Sequence, residues 1–178
     1  YGAVRAHMAA KEAGLRAWVG ADITMEDESV VPVLATSRVG YQNLCRLLSR
    51  AKLRAKKGEA RTGWEELREH SAGLIGLSGD REGPLLRAWY RGERGEMDEQ
   101  LRRLVSVFCA GNFFVEVQRH FIRDEDRAES ALIDLARHHR VPLLATNGVL
   151  YAHREGRRIA DVFSCLRHHT SLDAAGTR

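Results

Sequence analysis

The sequence is sparing with the residues that fix a structure covalently or advertise a special chemistry. It holds three cysteines, three prolines and few aromatics, 7% in all. Cys45, Cys109 and Cys165 are odd in number and far apart, and none belongs to a Cys-x-x-Cys pair. Neither a disulfide framework nor a zinc ribbon is supported, and a reducing cytoplasm fits best. No apolar run approaches the roughly 18 residues of a membrane-spanning helix, and no signal-peptide pattern opens the chain. A Gly-x-x-x-x-Gly-Lys-Ser/Thr loop is absent, as is a Gly-x-Gly-x-x-Gly turn after a strand. Gly76-Leu-Ser78-Gly79-Asp80 approaches a nucleophile elbow, but Asp80 stands where the second glycine is required, so Ser78 reads as turn chemistry.

Lysine is scarce too. Of 28 Lys and Arg only Lys11, Lys52, Lys56 and Lys57 are lysine, and against 24 Asp and Glu the formal net charge is +4. A mildly basic chain is compatible with nucleic acid without demonstrating it. With 178 residues, 44% of them hydrophobic, the chain suffices for one domain or most of one. It opens at Tyr1, without methionine and already inside a helical pattern, and is expected to be part of a longer polypeptide.

The hydrophobic spacing predicts a helix over 3–14, with Val4, Met8, Ala9 and Ala13 on its inner face and Gly14 as C-cap. Strands follow at 17–24 and 30–35, separated by the acidic turn Glu26-Asp27-Glu28, with Pro32 suggesting an edge or an irregularity. A helix over 40–57 buries Tyr41, Leu44, Cys45, Leu47 and Leu48. Thr62 is placed as N-cap, with Glu65 completing a capping box, for a helix over 64–70. The remaining expectations are strands at 74–78, 113–118 and 142–147 and helices over 85–91, 96–110, 125–139 and 154–167. Short apolar strands alternating with amphipathic helices argue for one α/β domain with mainly parallel pairing. Pro142 to Asn147 reads as a buried parallel strand, and the loops after such strands are where chemistry sits in α/β folds.

Two groups of side chains could act. Arg46, Arg50, Lys52, Arg54, Lys56, Lys57 and Arg61 make the far end of the 40–57 helix basic. Cations there complement the helix dipole, and Arg50, Arg54, Lys56 and Lys57 are the residues placed to contact a phosphate backbone. The second group is Asp22, Asp80, Glu116 and His120, all at strand ends, where a barrel can assemble a multinuclear metal site for phosphoester hydrolysis. Such a site takes around six converging ligands, and each of these residues alone is also explained by ordinary structure. The pairs His138-His139 and His168-His169 point about 100° apart on a helix and chelate poorly.

Four blocks resemble, in order and spacing, the N-terminal region of bacterial C-family DNA polymerases, the DNA polymerase III alpha subunits. They are Gly40-Tyr-Gln-Asn-Leu-Cys-Arg-Leu, Phe114-Val-Glu-Val-Gln-Arg-His-Phe121, Pro142-Leu-Leu-Ala-Thr-Asn147 and Asp161-Val-Phe-Ser-Cys-Leu-Arg-His-His-Thr170. The Gln-Arg-His-Phe and Arg-His-His-Thr variants look most like the error-prone branch, which takes part in damage tolerance and repair synthesis. The resemblance implies that residues 1–178 are a partial PHP (polymerase and histidinol phosphatase) domain, a distorted seven-stranded βα barrel of TIM-like kind. It also implies that the first strands, with their His-x-His motif, lie before Tyr1. Active members bind Zn2+ or Mn2+ and excise nucleotides from the 3′ end. The parent polymerase would use Mg2+, DNA, its own body domains and accessory proteins.

On that resemblance Asp22 occupies a carboxylate ligand position and remains a weak candidate for a residual metal site. Val30 stands where a histidine is usual, and Asp80 where a cysteine or histidine is. Thr146-Asn-Gly-Val-Leu-Tyr151 matches the family's Thr-Asn-Asp-Val-His-Tyr, so Gly148 replaces an aspartate ligand and Leu150 a histidine. The resemblance therefore implies a structural segment without catalytic residues of its own. The alternative is a metal-dependent phosphoesterase or 3′–5′ exonuclease of the same superfamily.

Overall fold

The structure is a computed structural model that describes residues 2–109, 111–120 and 125–175. The expected helix end at Ala110 and the Phe121 end of one resembling block lie outside these residues. Two compact units are formed, 1–146 and 147–178. In the first, the elements run α1 (Ala3–Glu12), β1 (Val19–Thr24), β2 (Val30–Ala35), α2 (Arg38–Leu53), α3 (Trp64–Glu69), β3 (Leu74–Leu77), α4 (Pro84–Tyr90), α5 (Arg94–Phe108), β4 (Phe113–Val117), α6 (Glu125–His139) and β5 (Leu143–Ala145). The second holds a 3-10 turn (Arg154–Gly156), α7 (Arg157–His168) and α8 (Leu172–Ala175). Among the described residues no helix is long and apolar enough to cross a membrane.

The five strands form one sheet in the order β1-β2-β3-β4-β5. Pairing is mixed rather than mainly parallel: β1 with β2 and β2 with β3 are antiparallel, while β3 with β4 and β4 with β5 are parallel. The first reversal follows from the tight turn between β1 and β2, which joins only antiparallel strands. Asp27 stabilises that turn by accepting from the Ser29 N–H at 2.8 Å and the Ser29 hydroxyl at 2.5 Å. Pro32 is paired with Asp22 of β1 but lies just outside the Val33–Ala35 ladder with β3. The missing N–H is tolerated because this part of β2 is locally an edge.

Alternation along the strands decides which face is buried. Ile23, Val31, Val33, Leu74, Phe113 and Val115 pack against Leu44 and Leu47 of α2, Leu67 of α3, Leu85 of α4, Leu101 and Leu104 of α5 and Leu132 of α6. All helical partners lie on that one side of the sheet. Gly76 is required here, because a Cβ on it would come within 2.3 Å of the Phe108 ring. That ring stacks on Phe113 with centroids 6.2 Å apart.

Four expectations need correction. The helix over 64–70 begins after Gly63 without a side-chain cap. Thr62 instead extends the end of β1, its N–H donating to the Thr24 carbonyl at 3.0 Å and its own carbonyl accepting from Glu26 at 3.2 Å. Val4 and Met8 of α1 remain 74% and 52% exposed, so that helix has an apolar face without a cover in this unit. Tyr41 and Cys45 of α2 are exposed, and Gly40, Leu44, Leu47 and Ala51 form its buried face. The strand around Pro142 is parallel, as its sequence suggests, but short and marginal, with Leu143 42% exposed at the end of the sheet order.

A polar clamp joins two of the helices. The His139 ring nitrogen lies 2.5 Å from the Asp98 carboxylate, which also pairs with Arg102 at 2.7 Å. The hydrogen bond to His139, with Arg102 and His138 near, holds the Asp98 carboxyl below its ordinary 3.8. A lowered folded value stabilises above the unfolded value and is lost as pH falls through the folded one. Urea titrations at pH 7 and pH 3 are expected to show that Asp98→Asn lowers stability at the higher pH and much less at the lower. An equal loss at both would remove the ionic explanation.

Candidate functional site

Sheet direction brings the candidate residues to one end. β1, β3, β4 and β5 run the same way, and antiparallel β2 begins where they finish. Asp22, Val30, Ser78, Asp80, Glu116, His120 and Thr146 therefore lie at or near the same sheet end. Asp22 and Glu116 alternate with the core residues Ile23 and Val115, so both project from the face opposite the helices.

Glu116 is the central group. It is only 7% exposed. Its Oε1 accepts from the Gln118 amide at 2.8 Å and from the Thr146 hydroxyl, while its backbone N–H donates to Ser78 Oγ at 2.8 Å. The Gln118 carbonyl oxygen lies 3.0 Å from His120 Nε2, and the His120 N–H donates to the Glu125 carboxylate at 2.8 Å. Glu116 Oε2 is buried without a hydrogen-bond partner among the described residues. Thr146 and Gln118 were not singled out by sequence reasoning. The period-2 run Glu116-x-Gln118-x-His120 carried a signal for Gln118, because alternate strand residues share a face. Thr146 had none, being 30 positions away.

The other residues have local duties. Ser78, 1% exposed, ties β3 to β4. Asp80 closes a turn by accepting from the Glu82 N–H at 3.0 Å. Asp22 is exposed on its strand, and partial loss of hydration raises its carboxyl above the ordinary 3.8, helped by the negative charges of Asp80, Glu116 and Glu82. Beside them a pocket of about 90 Å3 is lined by Asp80, Arg81, Tyr90, Gln118, His120 and Glu129, among others. Arg81 lies over the Tyr90 ring, 4.5 Å from its centroid.

These residues do not fit a multinuclear metal centre. Among the described residues no three His, Cys, Asp or Glu side chains are grouped so that they could hold a metal ion. Two donors already satisfy one Glu116 carboxylate oxygen, and the Gln118 side-chain oxygen engages one nitrogen of the His120 ring. Gly148, at φ +51°, and Leu150 offer no donor atom in their side chains. Hard cations need several oxygen ligands, and zinc needs imidazole, thiolate or carboxylate in near-tetrahedral order.

Three of the seven cations at the basic end of α2, Arg50, Arg54 and Arg61, have carboxylate partners. Arg54 binds Glu66 through both guanidinium nitrogens, at 2.9 and 2.5 Å, and the Arg61 carbonyl at 2.6 Å. This bidentate pair raises Arg54 and lowers Glu66. Arg50 lies 3.8 Å from Glu69, and Arg61 3.6 Å from Glu28. Lys56 and Lys57 are exposed.

The model of the PHP domain family matches residues 1–120. The chain is 34% identical over 178 residues to the error-prone DNA polymerase of Pseudomonas fluorescens, covering 99% of this chain and 16% of that protein. It is 34% identical over 176 residues to the error-prone DNA polymerase of Pseudomonas aeruginosa, covering 98% and 16%. With the DNA polymerase III subunit alpha of Treponema pallidum it shares 30% identity over 180 residues, covering 93% and 15%. The chain thus spans about one-sixth of the length of these curated relatives. Its five-stranded α/β sheet, with the family pattern running through β4, makes this chain a member of the PHP domain family.

Proposed function

We propose that this chain is the PHP-domain portion of a cytoplasmic, error-prone, DNA polymerase III alpha-like enzyme, and that it serves there as a scaffold with a degenerate metal site. In that reading the sheet face bearing Leu34, Ile75, Phe114 and Leu144 is the interior of a distorted seven-stranded βα barrel that further strands would close. Deoxynucleotide transfer, with its Mg2+, belongs to other parts of such a polymerase. DNA, the polymerase body and accessory proteins used in replication or repair are its partners.

One observation carries the scaffold reading. One oxygen of the buried carboxylate at the sheet end, Glu116 Oε1, is held by Thr146 and Gln118, and Glu116 does not group with two further His, Cys, Asp or Glu side chains among the described residues. Asp22 then remains as a carboxylate that has lost part of its hydration and is crowded by like charges, which costs stability when it ionises.

The sign of that cost gives the test. A raised folded value means that the contribution of Asp22 to stability is highest below pH 3.8 and falls as pH rises through the folded value. Asp22→Asn is therefore expected to raise the Tm at pH 7, with the gain disappearing below pH 3.8. Mn2+ or Zn2+ at millimolar concentration is expected to leave the wild-type Tm unchanged. A site filled at about 100 times its Kd would add about 2.7 kcal/mol, or about 5–10 °C. A metal-dependent rise of that size, absent from Asp22→Asn, would defeat the scaffold reading. Chelator-sensitive hydrolysis of a model phosphoester would favour a metal-dependent phosphoesterase or 3′–5′ exonuclease instead.

A further inference from the structure

At the opposite end of the sheet from Asp22 and Glu116, where β1 begins and β2 finishes, lies an open groove of about 380 Å3. Ala17, Val19 and Ala35 contribute apolar lining to it. Its walls carry His7 of α1, Arg16 and Trp18 of the connection into β1, and Arg38 and Tyr41 of α2, with no Asp or Glu among the lining residues. Trp18 is 49% and Tyr41 46% exposed, large aromatic surfaces that the core does not use.

The placement of Arg38 runs against local helix energetics. α2 has sixteen residues, no acidic side chain in its first turn, and an arginine as its first residue. The partial positive charge of a helix N-terminus favours anions there and disfavours a guanidinium. Neither Arg38 nor Arg16 has an ion-pair partner within 4 Å among the described residues, unlike Arg50, Arg54 and Arg61 on the same unit. The groove therefore presents unneutralised cations of its own, next to a helix end that would itself attract negative charge.

We propose that this groove binds a single-stranded polynucleotide, with its phosphates on Arg16 and Arg38 and its bases stacked on Trp18 and Tyr41. Cations that track a backbone, combined with exposed aromatic faces on which bases stack, are the two features that single-strand binding without sequence preference requires. The side chains of Ala17, Val19 and Ala35 offer the bases further apolar surface, and the open shape admits a flexible strand where a rigid duplex would bury little surface. This inference stands on the groove alone, so its failure would leave the polymerase scaffold reading untouched.

The experiment is an anisotropy titration of a fluorescein-labelled oligothymidylate of about twelve nucleotides with the intact chain, repeated over a range of salt concentrations. The double variant Arg16→Gln, Arg38→Gln is expected to weaken binding at least about tenfold at low salt. Removing two phosphate contacts should also reduce the slope of log K against log salt by about 1.4. Trp18→Leu should weaken binding several-fold while changing that slope little, since it removes stacking and no charge. Arg127→Gln with Arg137→Gln, two exposed cations of α6, should leave the affinity within about twofold, which separates the groove from general surface charge. Circular dichroism of each variant confirms its fold. Unchanged affinity in the arginine double variant, no binding by the wild-type chain at low salt, or equal affinity for a duplex of the same length would each overturn the proposal.

Discussion

Replacing Phe113 by alanine is expected to remove about 3–5 kcal/mol of stability, the usual range for deleting a fully packed phenylalanine. The ring is 2% exposed at the start of β4, where the parallel pairing with β3 begins opposite Gly76. It stacks on Phe108, the last residue of α5, and so fastens the α4–α5 connection of the helical layer to the sheet. Its removal leaves a cavity that Gly76 cannot fill, because that position has no side chain. Single domains are commonly stable by only about 5–15 kcal/mol, so this variant should lie close to the unfolding threshold at 25 °C. Urea denaturation followed by circular dichroism measures it: the midpoint should fall sharply with the slope unchanged. A loss below about 1 kcal/mol would mean that Phe113 is not a packing centre.

Gly40→Ala is expected to be nearly as damaging, although it adds only one methyl group. A Cβ at Gly40 would stand 1.8 Å from the Gly73 carbonyl oxygen and 2.5 Å from its carbon. The obstacle is backbone, which cannot rotate away as a side chain could. That carbonyl also accepts from the Thr36 N–H at 3.0 Å and the Thr36 hydroxyl at 2.9 Å, so displacing it weakens two hydrogen bonds. Gly73 itself sits at φ +75°, where another residue would be strained, and therefore has little freedom to adjust. Overpacking of this kind costs typically about 1–3 kcal/mol, and the rigid obstacle places Gly40→Ala at the upper end. A fall in Tm of about 6–12 °C follows for a chain of this size. Gly95→Ala is the matched control: it lies in the first turn of α5 with nothing within 4 Å of its added Cβ, and should leave stability unchanged or slightly raised. If both substitutions proved neutral, the tight contact between the start of α2 and the turn before β3 would not exist in solution.

Local pattern was legible wherever one residue's neighbours along the chain define its environment. The helix Glu125–His139 lies where its 3.6-residue spacing places it, with Ala128, Leu132 and Ala136 buried. Arg54 shows the opposite case. Its sequence neighbours make it part of a cationic run, yet its guanidinium is bound by Glu66, twelve positions on in another helix. A charge run records composition, whereas the partner of each charge depends on how two helices are packed. The exposure of β5 likewise could not be read from its apolar residues, because burial of a strand depends on what covers it.

The sequence by itself determined the alternation of helices and strands, the resemblance to PHP domains, and the inability of Gly148 and Leu150 to donate to a metal. Each of these follows from side-chain chemistry or from contacts a few residues apart, which survive any arrangement of the elements. Only the tertiary structure decided that two of the four strand pairings are antiparallel, that Glu116 is buried beneath Gln118 and Thr146, and that His7, Arg16, Trp18, Arg38 and Tyr41 line one groove. Those facts join residues as much as 34 positions apart in the groove and 30 in the carboxylate network. Such separations are bridged by the sheet order and the packing of helices on one face, which no short-range periodicity encodes.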